Sequence, residues 1–80
     1  MNKVISHSLI LEVGKTIRMN IPNSVMFNVK AHIISIFRDA GEIFIVFKYY
    51  SPYKKSWFYK IERLETLELY NRKEAIKWVT

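Results

Sequence analysis

Hydrophobic and polar residues alternate with a period of two along most of this chain. A period of two is typical of β-strands that bury one face and expose the other. Glycine and proline, which favour turns, fall between the alternating stretches. The pattern therefore predicts a mainly β protein, with a loop at 22–28 and strands over residues 7–13, 16–21, 29–38, 42–50 and 56–63.

The C-terminal stretch divides into two parts, each with its own prediction. Leucines alternate with polar residues over 65–70, which is typical of a short closing strand. Asn71 is followed three positions later by Glu74, and this spacing resembles a capping box that would begin a helix over 72–79. A helix this short is marginal in water without tertiary contacts, so a frayed tail is the alternative.

Strand register decides which side chains share a face, because a shift of one residue turns every side chain over. In the first central hairpin, residues 39–41 (DAG) have the composition of a three-residue loop with glycine in the left-handed position. This loop sets Arg38 opposite Glu42, a favourable charge pair. It also sets Ile33 opposite Phe47.

The second central hairpin turns at Ser51–Lys55, where loops of two lengths are conceivable. A five-residue loop places Tyr49 opposite Trp57. A four-residue loop places Lys60 opposite Phe47, inside the core. Burying an unpaired ammonium costs several kcal/mol, so the sequence favours the five-residue loop.

These registers divide the central sheet into two faces. The predicted core face holds Val29, Ala31, Ile33, Phe37, Ile43, Ile45, Phe47, Tyr49, Trp57, Tyr59 and Ile61. The opposite face has an apolar half made of Ile34, Ile36, Phe44 and Val46, flanked by Lys60 and Glu62. Its basic and aromatic half holds Lys30, His32, Lys48, Tyr50 and Phe58. An open sheet would leave the apolar half in contact with water, so another segment or another chain must cover it.

Composition narrows the class of protein. The 80 residues include no cysteine and are 50% hydrophobic, which predicts one domain over 1–80 without disulfides or thiolate metal sites. We expect the barrel part at about 7–70 and a helix or tail at 71–80. No segment approaches the roughly 20 apolar residues of a membrane span, and the N-terminus does not resemble a signal peptide. We therefore expect a cytoplasmic protein without membrane contact.

The pattern resembles small SH3-like barrels of the Tudor, chromo-barrel and KOW kind. The matching segments are VGKTI at 13–17, AHIISI at 31–36 and GEIFIV at 41–46, followed by Trp57 and residues 64–67. The resemblance implies a strongly curled, five-stranded antiparallel sheet and a role in binding nucleic acid, methylated side chains or peptides. A Tudor-type aromatic cage has no residue-by-residue counterpart here.

Residues 48–60 carry the strongest candidate chemistry. They combine lysines with aromatic residues and contain no acidic residue, in a chain of net charge +6. Lysines neutralise phosphates and aromatic rings stack on bases. The sequence therefore predicts a non-enzymatic protein that binds nucleic acid through Lys30, Lys48, Tyr50, Tyr53, Lys54, Lys55, Phe58 and Lys60.

Two alternatives remain open. The same residues suit a protein-interaction module or inhibitor, of the kind encoded by phages and mobile elements, that covers an acidic protein surface. A homo-oligomer through Ile34, Ile36, Phe44 and Val46 is the other. Catalysis is not expected, because His7 and His32 are the only histidines and neither has an acidic residue at ligand spacing. No metal or cofactor is predicted.

Overall fold

The protein is mainly β, as the alternation predicts. The computed structural model describes residues 1–6 and 9–72, and these form six strands and one short helix. The strands pair into a two-stranded sheet, β1-β2, and a four-stranded sheet in the order β3-β4-β5-β6, and their pairing does not close into a barrel. The elements are β1 (Lys3–Ser6), β2 (Leu9–Glu12), β3 (Thr16–Met19), β4 (Val29–Asp39), β5 (Glu42–Ser51), β6 (Ser56–Arg63) and α1 (Leu64–Tyr70).

The segment expected to be a closing strand is the helix α1, so that prediction is wrong. Leu64 and Leu67 lie three residues apart and therefore share one helix face. Leu67 is fully buried, and Leu64 packs against the same core. Leu69, the other half of the strand-like alternation, is 59% exposed. The helix predicted over 72–79 lies almost entirely outside the described residues.

The hairpin between β4 and β5 turns in two residues rather than three. Ala40 and Gly41 have φ values of 52° and 80°, and Asp39 pairs with Glu42. Two left-handed residues in succession are typical of a type I′ turn, whose twist matches that of the strands. Arg38 is therefore not opposite Glu42, contrary to the prediction.

A β-bulge in β4 compensates for this shorter turn. The register shifts between Ile33 and Ser35, so Ile33 still pairs with Phe47, as predicted. Between the bulge and the turn the faces are exchanged relative to the prediction. Ile36 is buried at 3% exposure and Phe37 is 38% exposed, because a one-residue shift reverses the two faces.

The hairpin between β5 and β6 has the four-residue loop that the sequence argument rejected. Ser51 pairs with Ser56, and Phe47 pairs with Lys60. The whole of β6 is consequently turned over relative to the prediction. Its three residues expected in the core are exposed, at 49% for Trp57, 66% for Tyr59 and 61% for Ile61.

Lys60 tolerates this position because its ammonium is paired rather than buried alone. Its Nζ donates a hydrogen bond of 2.8 Å to the carbonyl oxygen of Pro22 and lies 4.0 Å from Oε2 of Glu62. A lysine can cover apolar surface with its methylene chain while its charged end reaches a polar partner. The cost of an unpaired ammonium therefore does not arise.

The core lies against the inner face of the four-stranded sheet. Gly14 and Lys15 bind the end of the β1-β2 hairpin to β4 through 2.9 Å hydrogen bonds to the backbone of Ile33. Helix α1 follows β6 directly and contributes Leu67 to the same cluster. The buried hydrophobic residues are Leu9, Leu11, Met19, Ile21, Met26, Ala31, Ile33, Ile36, Ile45, Phe47, Tyr49 and Leu67.

Candidate functional site

The face of the four-stranded sheet opposite the core, here called the outer face, carries the candidate site. Cross-strand pairing arranges its side chains in rows that cross the strands. The register gives the order of these rows from the β4-β5 turn to the other end. They are Asp39–Glu42, then Phe37–Phe44–Arg63, then Ser35–Val46–Ile61, then Thr16–His32–Lys48–Tyr59, and last the pairs Arg18–Lys30 and Tyr50–Trp57.

The rows divide the outer face into three zones of different chemistry. The acidic end is formed by Asp39 and Glu42. The apolar middle is formed by Ile34, Phe37, Phe44, Val46 and Ile61. The basic end contains no carboxylate in its rows and is formed by Arg18, Lys30, His32, Lys48, Tyr50, Trp57 and Tyr59.

Trp57 is the centre of the basic end. The Nζ atom of Lys48 lies 5.3 Å from the centroid of the Trp57 ring, within cation–π range. The ring of Tyr50 meets it edge-on at 5.6 Å, and the ring of His32 lies at 5.4 Å. These neighbours hold the indole in place, yet it remains 49% exposed. The arrangement offers a fixed aromatic surface beside a cation.

The remaining basic-end residues extend this surface across the sheet. Tyr59 pairs with Lys48 and is 66% exposed. On the other side, Oγ1 of Thr16 lies 3.2 Å from Nδ1 of His32. At the β3 edge, the Arg18 guanidinium donates to the carbonyl oxygen of Asn28 at 2.9 Å. The aromatic residues therefore lie on β5 and β6, while the cations reach across all the strands except β6.

The eight residues predicted from the sequence do not lie together. Lys30, Lys48 and Tyr50 lie on the outer face as expected, within the basic end. Phe58 is on the inner face instead, where its ring stacks on Tyr49 at 6.0 Å. It belongs inside because the four-residue loop turns β6 over.

The other four predicted residues lie near the β5-β6 loop or on the inner face. Tyr53 and Lys54 line a groove of about 360 Å³ between that loop and the loop at 22–28. Lys60 lies on the wall of the same groove, and Lys55 is in the loop itself with φ of 52°. The predicted site is thus divided between the outer face and this groove.

The register error hid Trp57 and Tyr59, which the sequence argument assigned to the core. Both are aromatic residues of the same 48–60 segment, so composition pointed to the right stretch of chain. The property that could have revealed them is the length of the lysine side chain, which lets its ammonium reach a polar partner from the inner face. Once Lys60 is allowed to reach a carbonyl from the inner face, the four-residue loop becomes acceptable and both aromatics face outward.

The groove is a less suitable anion site than the basic end. Its walls are largely apolar, with Val25, Met26 and Phe58 among them. The ammonium of Lys60 is already held by Pro22 and lies close to Glu62. An anionic ligand in the groove would therefore have to compete with these partners, whereas Lys48 faces an aromatic ring.

Within residues 1–6 and 9–72, no group of three or more His, Cys, Asp or Glu side chains is placed to hold a metal ion. The described part of the chain also contains no helix with the length and apolar character needed to cross a bilayer. Comparison of the chain with protein-family models, with curated proteins and with solved structures gives no match.

Proposed function

We propose that this chain is a non-enzymatic protein that binds single-stranded nucleic acid on the basic end of its outer face. One observation carries the proposal: Trp57 is held by Lys48, Tyr50 and His32 and still presents about half of its surface to solvent. Single-strand binding surfaces combine aromatic rings that stack on bases with cations that follow the phosphates.

The arrangement favours single strands over duplexes. The exposed rings of Trp57 and Tyr59 are available to bases whose faces are free, and in a duplex those faces are already stacked. The basic end offers Arg18, Lys30 and Lys48 to phosphates. Three phosphate contacts predict that log Ka falls with log salt with a slope of about −2.

The curled, SH3-like form of the sheet is part of this proposal. The resemblance implies a curled five-stranded sheet with a binding role, and the strand order β3-β4-β5-β6 is compatible with such a form. The proposal itself rests on the outer-face residues and not on barrel closure.

The test is fluorescence anisotropy with labelled single-stranded DNA and RNA oligonucleotides of mixed sequence at low salt. We expect Trp57→Ala and Tyr59→Ala each to weaken binding by about 5- to 150-fold, the equivalent of roughly 1–3 kcal/mol per stacked base. Tyr53→Ala is the matched control, because Tyr53 is 78% exposed but lines the groove. It should leave affinity within about twofold of wild type.

Two results would contradict the proposal. One is the absence of binding to any of these oligonucleotides at low salt. The other is a loss for Tyr53→Ala equal to the loss for Trp57→Ala, which would place binding at the groove. Duplex DNA of the same sequence is the further comparison, and it should bind more weakly than the single strand.

A protein partner at the groove is the second candidate function. The observation that favours it is a cluster of exposed apolar residues around the groove: Val25 at 74%, Phe27 at 64% and Tyr53 at 78%. Exposed apolar clusters with a polar rim are typical of protein contacts. Lys54, on the same groove, suits an acidic partner surface. A stoichiometric complex abolished by Tyr53→Ala and unaffected by Trp57→Ala would support this candidate.

A further inference from the structure

We propose that two copies of this chain associate through their outer faces, with the strands of one copy antiparallel to those of the other. The twofold axis lies between the two faces and crosses the strands at the level of Val46 and Ile61. The acidic end of each copy then covers the basic end of the other. The proposal follows from the exposed apolar middle and from the order of charges along the strands.

The apolar middle supplies the surface that a second copy would bury. Ile34, Phe37 and Ile61 are 39%, 38% and 61% exposed, although each is a large hydrophobic residue. The rings of Phe37 and Phe44 stack on each other at 5.3 Å, which fixes the orientation of both side chains. Two sheets pack face to face at about 10 Å with interdigitated side chains. An open sheet face of this kind fits a second sheet face.

The order of the rows makes the outer face complementary to itself. A twofold axis across the strands keeps each residue over the same strand of the second copy and reverses the order of the rows. Asp39 then lies over Lys30 of the second copy, and Arg63 lies over its Tyr59. The same reversal brings Phe44 over the second copy's Lys48. Opposite charges and cations over rings therefore meet at both ends.

The other simple face-to-face arrangement lacks the pairing of Asp39 with Lys30. An axis parallel to the strands would place each row over the same row of the second copy. With the axis between β4 and β5, Asp39 and Glu42 would then lie over the carboxylates of the second copy, and Lys30 would have no acidic partner. Like charges brought together at an interface suppress association. The antiparallel arrangement is the one that the charges favour.

Self-association and nucleic-acid binding would use the same side chains. In the antiparallel dimer Tyr59 lies under Arg63 of the second copy, and Trp57 lies beside the acidic end that covers Lys30 and Tyr50. This consequence rests on the proposed function, because it assumes that the basic end binds a single strand. Dimerisation would then keep the basic end covered until nucleic acid displaces the second copy.

The first test is sedimentation velocity over a concentration series. We expect the wild-type chain to shift from monomer to dimer, and Ile61→Asp to remain monomeric throughout. Ile10→Asp is the matched control, since Ile10 is also a strand isoleucine, is 57% exposed, and lies in β2 away from the outer face. It should dimerise as wild type does. A wild-type chain that is monomeric at the highest concentration overturns the proposal.

The second test exchanges charges across the interface. Asp39→Lys and Lys30→Glu each place like charges opposite one another twice in a homodimer, and each should weaken dimerisation roughly tenfold. An equimolar mixture of the two variants restores both pairs in a heterodimer, so association should return to near the wild-type level. A mixture that associates no better than its components overturns the antiparallel register.

The third test adds a single-stranded oligonucleotide to the dimer. We expect an excess to convert wild-type dimer to nucleic-acid-bound monomer, seen as a change in sedimentation. A dimer that binds the oligonucleotide without dissociating overturns the shared surface. Failure to bind any oligonucleotide refutes the proposed function instead, and the first two tests then still decide the dimer.

Discussion

Replacing Lys60 by methionine tests the physical reason for the register of β6. Methionine keeps an unbranched, apolar side chain of similar length and removes the ammonium. The variant therefore loses the 2.8 Å hydrogen bond to the carbonyl oxygen of Pro22 and the charge 4.0 Å from Glu62. Pro22 itself is fully buried, so its carbonyl has limited access to water.

The expected loss is about 2 kcal/mol of the free energy of unfolding. A hydrogen bond from a charged donor contributes about 1.5–3 kcal/mol. The Lys60 side chain is 28% exposed, which moves the value toward the lower part of that range because water competes for the ammonium. For a chain of 80 residues this loss lowers Tm by about 10 °C.

The assay is urea unfolding followed by circular dichroism, together with thermal melting. Lys15→Met is the control, because Lys15 is exposed in the turn before β3, and it should change stability by less than about 0.5 kcal/mol. A Lys60→Met variant as stable as wild type, or more stable, would refute the argument that the pairing of the Lys60 ammonium stabilises this register. An altered m-value would point instead to a change in the compactness of the unfolded or the native state, or to a loss of two-state unfolding.

Two further substitutions test the turn and the helix. Ala40→Asn should stabilise the fold by about 0.5–1 kcal/mol, because asparagine tolerates the left-handed φ of 52° better than alanine in a type I′ turn; a lower Tm than wild type would contradict this. Asn71→Ala should cost about 1–3 kcal/mol, because the Asn71 amide bonds both the backbone N–H and the carbonyl of Asn20, at 2.7 and 3.1 Å, and joins the end of α1 to the chain after β3. Unchanged urea unfolding would show that these bonds contribute nothing to stability.

The sequence predicted which stretches are strands better than how they pair. Alternation and turn residues located β4, β5 and β6 to within one residue at each end. The strand β1 was not predicted, because its four residues, KVIS, show little alternation. The leucines of α1 fit both the period of a strand and the period of a helix, and the sequence favoured a strand. The helix forms because it buries Leu67 in the core.

Loop length was the weakest step, because it depends on backbone conformation rather than composition. The segment 39–41 has the composition of a three-residue loop, yet Ala40 adopts a left-handed φ and the turn closes in two. The bulge at Ile34 then cancels the error for the rest of β4. The pairing of Ile33 with Phe47 was therefore predicted correctly despite the wrong turn. The bulge itself was not predicted, because it leaves no clear mark in the sequence.

No such bulge corrects the register of the second hairpin, and this difference determines which side chains form the candidate site. An error of one residue in the Ser51–Lys55 turn exchanges the two faces along all eight residues of β6. The interior then gains Phe58 and a paired lysine, and the surface gains Trp57, Tyr59 and Ile61. The outer face consequently carries more exposed aromatic and apolar surface than the sequence predicted.

That extra surface is the physical basis of both proposals, because exposing it to water has a cost. Each exposed large apolar side chain forgoes about 1.5–3 kcal/mol that full burial would contribute. Lys60 occupies the inner face with its ammonium bound to the carbonyl oxygen of Pro22, and this register leaves Trp57, Tyr59 and Ile61 exposed. The aromatic pair beside Lys48 suits nucleic acid, and Ile61 in the apolar middle suits a second sheet. The two proposed partners would therefore compete for one face.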